Sequence, residues 1–164
     1  MKNLFFATVF IFLNIPKNAQ SFQIKNLSNS VGKWEGTLTY LDYSSGKSYT
    51  MLANIKISLT EDKTGYIMGY EYPEEPHANS KDTTYVHEKL FGKDKILEFK
   101  KTTDSGFTVV TEILGEDGND HKKAMLRHTY ILKSNTYSII KEVKFDGTDK
   151  WIKRNEYLLN RAEN

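Results

Sequence analysis

From residue 34 onward the chain alternates apolar and polar positions with a period of two, the spacing of a strand with one buried and one solvated face. Residues 34–43 give a first strand, and Ser44-Ser45-Gly46-Lys47 supplies a turn whose glycine takes a positive φ. In residues 49–59, Met51, Ala53, Ile55, Ile57 and Leu59 share one face while Leu52, Asn54, Lys56 and Ser58 share the other. Residues 66–72 put Tyr66, Met68, Tyr70 and Tyr72 in one row. Residues 73–82 hold two of the three prolines and nothing apolar larger than alanine, so they read as the longest loop and are excluded from a central strand.

Six more segments follow, at residues 83–91, 95–102, 107–114, 124–133, 136–145 and 150–159. Gly92-Lys93-Asp94, Thr103-Asp104-Ser105-Gly106, the polar run 115–123, Ser134-Asn135 and Asp146-Gly147-Thr148-Asp149 separate them. No strand and long helix alternate, which excludes a parallel α/β fold. A meander of about nine strands leaves two bare edges, and closing it on itself removes both. The pattern therefore predicts an all-β, antiparallel, up-and-down barrel of about 8–10 strands. Before it, Phe22, Ile24, Leu27 and Val31 form a loose apolar side, read as a short helical turn that plugs one end.

The first residues follow a different rule. Met1-Lys2-Asn3 is basic and residues 4–13 are an uninterrupted apolar run, too short for a membrane span but suited to the core of a secretory signal. Asn18-Ala19-Gln20-Ser21 offers the cleavage point, so residues 1–19 read as a signal peptide and residues 20–164 as the barrel domain, secreted or periplasmic and with no transmembrane anchor once cleaved. The leader carries Lys2 and Lys17 and no acid, so its loss turns 23 basic and 21 acidic residues into 21 of each. A neutral domain lacks the basic footprint of a nucleic-acid binder. The absence of cysteine excludes disulfides, thiol chemistry and a lipidated N-terminal cysteine, so the core alone must hold the fold.

Gly32-Lys33-Trp34, placed after a helical turn and at the head of the first strand, resembles the Gly-x-Trp signature of the lipocalins and their calycin relatives, in particular a small bacterial lipocalin-like domain. The chain has no Thr-Asp-Tyr motif and no helix pair after the first strand. The resemblance implies that Trp34 closes the barrel base under a basic residue of the last strand, Arg154 or failing that Lys153 or Arg161, and that the interior holds one small apolar ligand.

Chemistry-bearing residues are sparse. The four histidines, His77, His87, His121 and His128, show no metal-ligand spacing, and no phosphate loop or nucleophile elbow is present. His87 falls in a row with Tyr85, and His128 in one with Leu126 and Tyr130, so both are candidates for polar anchors in an apolar cavity. The row of Tyr66, Met68 and Tyr70 offers a wall with hydroxyl tips. Tyr157 and Phe99 complete the expected ligand-binding set of Tyr66, Met68, Tyr70, Tyr85, His87, Phe99, His128, Tyr130 and Tyr157, with Trp34 and Arg154 as the structural base. No cofactor, metal or catalytic residue is expected, and a small apolar molecule is the expected partner. Two other readings stay open: a solid barrel acting as a scaffold of the cell envelope through residues 73–82, and an enzyme built on His87, His128 and Glu112.

Overall fold

The computed structural model describes residues 22–102 and 105–163, and the predicted leader lies outside the described residues. Ten antiparallel strands run round a closed barrel, each beside its neighbours in sequence. They are β1 (Gly32–Asp42), β2 (Lys47–Leu59), β3 (Gly65–Glu71), β4 (Ser80–His87), β5 (Leu90–Phe91), β6 (Asp94–Lys101), β7 (Phe107–Asp117), β8 (Lys122–Leu132), β9 (Thr136–Phe145) and β10 (Ile152–Arg161). β1 pairs with β10 from Trp34↔Arg161 to Tyr40↔Asn155, which completes the ring. The predicted all-β, up-and-down barrel is the fold observed.

The strand count differs from the sequence reading at residues 83–91, which form two strands. Glu88 takes a left-handed φ of 50° and the chain reverses, pairing His87 with Leu90 and Val86 with Phe91. The turn falls in the polar run His87-Glu88-Lys89, which carries no glycine, proline or asparagine to announce it. β4 also begins earlier, at Ser80, directly behind a 3-10 turn at Pro76–Ala78. Asp82 is thereby a strand residue rather than part of the loop. β7 and β8 likewise extend into the polar run 115–123 and leave only a tight turn between Asp117 and Lys122.

One end of the barrel is solid. The N-terminal 3-10 helix (Ile24–Ser30) lies across it and buries Leu27, while Phe22 packs its ring against Phe91, Phe99 and Phe107 at centroid distances of 5.7, 5.1 and 6.4 Å. Trp34 is fully buried and its indole Nε1 donates to the Ser30 carbonyl at 2.7 Å, so the base residue is both packed and satisfied. Ser30 Oγ donates its one proton to Leu27 O at 2.6 Å, which makes the Tyr66 hydroxyl the donor in the 2.9 Å contact with Ser30 Oγ. Tyr137 lies 3.4 Å beyond, and burial pushes the Tyr66 hydroxyl up to about 12.

The basic residue over Trp34 is Arg161, not Arg154. Its guanidinium stands 4.2 Å from the indole centroid, and its nitrogens donate to Val31 O at 3.1 Å and Asn29 O at 2.5 Å. Strand direction explains the correction: Arg161 pairs with Trp34 across the β1–β10 seam, whereas Arg154 sits at a register irregularity near the far end of β10. There Arg154 faces the Tyr43 ring at 4.5 Å and donates to Leu41 O. Val31 is 38% exposed, so it supports the base through its carbonyl rather than by packing.

Candidate functional site

The hairpin of β5 and β6 reaches only part of the way up the wall. β5 holds β4 at Val86 and His87 alone, and β6 meets β7 no higher than Lys95↔Glu112. Above that level, residues 80–84 on one side and residues 113–117 on the other have no strand between them. A cavity of about 670 Å³ opens into the barrel at this notch, with Asp82, Thr84, Gly92, Lys93 and Ile113 on its lips. Its inner wall includes Met68, Tyr70, Phe91, Tyr130, Ile139 and Tyr157.

Register accounts for that wall. Tyr70 and Met68 stand opposite Ser80 and Asp82, so the inward row of β3 continues across β4. Tyr130 pairs with Ile139, and Ile139 with Tyr157, which carries one apolar and hydroxyl-tipped belt over β8, β9 and β10. One step higher, Thr111, His128 and Lys141 lie side by side across β7, β8 and β9.

Polar groups in this upper layer are tied to one another. Asp94 Oδ2 lies 3.0 Å from His128 Nδ1 and accepts the hydroxyl of the fully buried Thr111 at 3.1 Å. Lys141 is ion-paired with Asp117, whose other oxygen lies 3.5 Å from Arg154 Nε. Burial alone would raise the Asp117 carboxyl. The hydrogen bonds from Lys141 and the Gly118 N–H outweigh it and hold the group below its ordinary value. Tyr72 and Tyr157 share a 2.6 Å hydroxyl contact, and the Tyr70 hydroxyl donates weakly to Met68 Sδ at 3.7 Å. Desolvation lifts the Tyr70, Tyr130 and Tyr157 hydroxyls far above their ordinary value, so all three stay protonated and can donate.

The structure brings five of the expected ligand residues together in this cavity: Met68, Tyr70, His128, Tyr130 and Tyr157. Four lie elsewhere. Tyr66 belongs to the buried base. Phe99 packs on Phe22 in the lower part of the barrel. Tyr85 and His87 stack on each other at 6.3 Å on the outer face, Tyr85 being 43% exposed. The cause is the turn at Glu88, which reverses the chain so that Phe91 points inward opposite Val86 while His87 points out. Glu112 also faces outward and is bonded by Arg127 at 2.8 and 2.6 Å, so the constellation of His87, His128 and Glu112 does not assemble.

Asp94, Thr111 and Lys141 were not singled out by the sequence. Asp94 reads as a turn residue beside Gly92, and the two others as members of alternating strands. Their convergence comes from the order β6, β7, β8 and β9 round the wall, with Lys141 of β9 paired to His128 of β8. Among the described residues no group of three or more acidic or histidine side chains gathers as a metal site, and no helix is long and apolar enough to cross a membrane.

The fold and the cavity define the class, a ten-stranded antiparallel barrel with one packed end and one open flank. No family model matches the chain, and no curated protein matches it either. Among solved structures it is similar to Rv2717c from M. tuberculosis, with a TM-score of 0.60 and 13% identity over 85% of this chain and 97% of that one. At that identity the likeness shows the shared fold.

Proposed function

We propose that this protein is a non-enzymatic binding protein, secreted or periplasmic, that holds one small, mostly apolar molecule inside the barrel. The observation that carries the reading is the cavity of about 670 Å³ behind Met68, Tyr70, Phe91, Tyr130, Ile139 and Tyr157. Ligand sites fall at roughly 300–1,000 Å³ and combine apolar walls with a few placed polar groups, as here. A barrel filled with side chains throughout would favour the scaffold reading, whereas here only the base is filled. The leader-like residues 1–19 support export, and Gly32-Lys33-Trp34 under Arg161 at the base supports kinship with lipocalin-like domains.

Native mass spectrometry of the protein purified from its own host, followed by release and identification of small molecules, tests the reading. A stoichiometric apolar passenger is the expected result. A protein free of any passenger that also fails to take up N-phenyl-1-naphthylamine, a neutral apolar fluorophore, would rule it out. N-terminal sequencing of the exported form tests cleavage after Ala19.

A further inference from the structure

We propose that the cavity selects a ligand with a neutral hydroxyl head, and that His128 Nε2 accepts the ligand's proton while Asp94 and Thr111 fix the imidazole for that task. This rests on the binding reading above and names the polar end of the molecule bound.

The argument begins with what each polar group in the cavity has left to offer. Lys141 is held by Asp117, which also faces Arg154, so neither cation is free to take an anionic head without leaving that carboxylate. Tyr72 and Tyr157 share one hydrogen bond, which spends one of their two hydroxyl protons and leaves the other to meet a ligand oxygen. Asp94 spends one oxygen on both His128 and Thr111. An ionised carboxylate only accepts, so the 3.0 Å contact places a proton on His128 Nδ1. In the neutral ring that leaves Nε2 as an acceptor, and no partner for it occurs among the described residues.

Thr111 makes this arrangement stiff. It is fully buried and donates to the same Asp94 oxygen, so the carboxylate is held from β7 while it holds the ring on β8. The side chains of Asp94 and His128 are only 18% and 24% exposed, which keeps water competition low. Two charges on the lips have no ion pair among the described residues: Asp82 on β4, again an acceptor, and the exposed Lys93 on the turn between β5 and β6. Nearby carboxylates add to the elevation of the Tyr70 and Tyr130 hydroxyls, consistent with a wall that repels negative charge. A wall with an oriented, unmet acceptor discriminates sharply, because a ligand lacking the donor leaves that acceptor buried and unsatisfied.

The experiment displaces N-phenyl-1-naphthylamine from the full exported chain with three molecules sharing one apolar body: 4-propylphenol, 4-propylanisole and 4-propylbenzoate. The phenol is expected to bind about tenfold more tightly than the ether, the value of one good hydrogen bond, and the benzoate more weakly still. In His128→Phe and Asp94→Asn the ratio of phenol to ether affinity, each measured against that variant's own fluorophore affinity, is expected to fall to about one. An independent readout is the tautomer of His128 in long-range ¹H–¹⁵N spectra, with the proton on Nδ1 in the native protein and redistributed in Asp94→Asn. Should His128→Phe fail to fold, His128→Leu serves, since it removes the acceptor with a smaller side chain.

Equal binding of phenol and ether, tighter binding of the benzoate, or a native tautomer protonated on Nε2 would overturn this proposal and leave the binding reading standing. Failure of the fluorophore and of all three molecules to bind would overturn both.

Discussion

The Arg161 guanidinium lies 4.2 Å above the Trp34 ring and spans the carbonyls of Asn29 and Val31. One side chain of the last strand thus ties together the first strand and the helix that plugs the base. Arg161→Ala should lower stability by roughly 1–3 kcal/mol, combining the cation–π contact with two charge-assisted hydrogen bonds at a partly solvated site. Arg161→Lys should recover less than half of that, because an ammonium cannot stack flat and fork to two carbonyls at once. Urea denaturation followed by Trp fluorescence measures both, and an unchanged midpoint in Arg161→Ala would refute the role.

The site lies on the inner wall, so substitutions there and on the outer face should separate. Ile139→Trp fills the cavity and should weaken N-phenyl-1-naphthylamine binding by about tenfold or more, while Tyr85→Ala and His87→Ala should leave it within about twofold. Fluorescence titration decides this, and a strong effect of His87→Ala would move the site to the outer surface.

Buried tyrosines set the alkaline limit of stability. Burial is the first cause that raises the hydroxyls of Tyr43 and Tyr66, both to about 12, and those of Tyr70, Tyr130, Tyr137 and Tyr157 as well. A group raised in the folded state contributes stability that is complete below its unfolded value, near 10, and is lost as pH climbs toward the folded one. Each of Tyr66, Tyr130 and Tyr137, whose hydroxyls are buried, steepens the loss by up to about 1.4 kcal/mol per pH unit in that window, and the more exposed Tyr43 by less. Phenolate absorbance at 295 nm should therefore rise together with the loss of far-UV circular dichroism. Full, reversible ionisation near pH 10 with the fold intact would contradict the burial of these rings.

Gly36 belongs to the seam between β1 and β10. A Cβ there would fall inside contact distance of the Leu158 carbonyl, which is backbone and cannot swing away. Gly36→Ala should cost at least about 2 kcal/mol, whereas Gly46→Ala, in a turn with open space around it, should cost less than half as much and mainly through its φ of +67°. Paired denaturation curves test the contrast.

The barrel and its base were legible because both depend on local pattern. Period-two alternation fixes which residues share a face, and Trp34 stands where the meander begins. Which face turns inward at residues 83–91 was not legible, since the two-residue turn at Glu88 and Lys89 reverses the chain without a glycine, proline or asparagine to signal it. The sequence likewise had no means of joining His128 to Asp94, which lie 34 residues apart. They meet through the register of β6, β7 and β8, and register is a property of pairing rather than of any one segment. The same limit applies to the basic residue at the base. Arg154 and Arg161 both lie on the last strand, and only the partner of Trp34 across the seam distinguishes them.

The pairing of β1 with β10 differs from every other in the ring, since all the rest join strands adjacent in sequence. Hairpins of the second kind zip within microseconds, while the seam must wait for more than a hundred residues of intervening chain to be gathered. The Trp34 and Arg161 pair is therefore a clasp on the contact with the longest loop to close, and a clasp fastened late should, when lost, speed unfolding more than it slows folding. Losing β10 would leave a curled nine-strand sheet with two naked edges, a form that invites pairing with other chains.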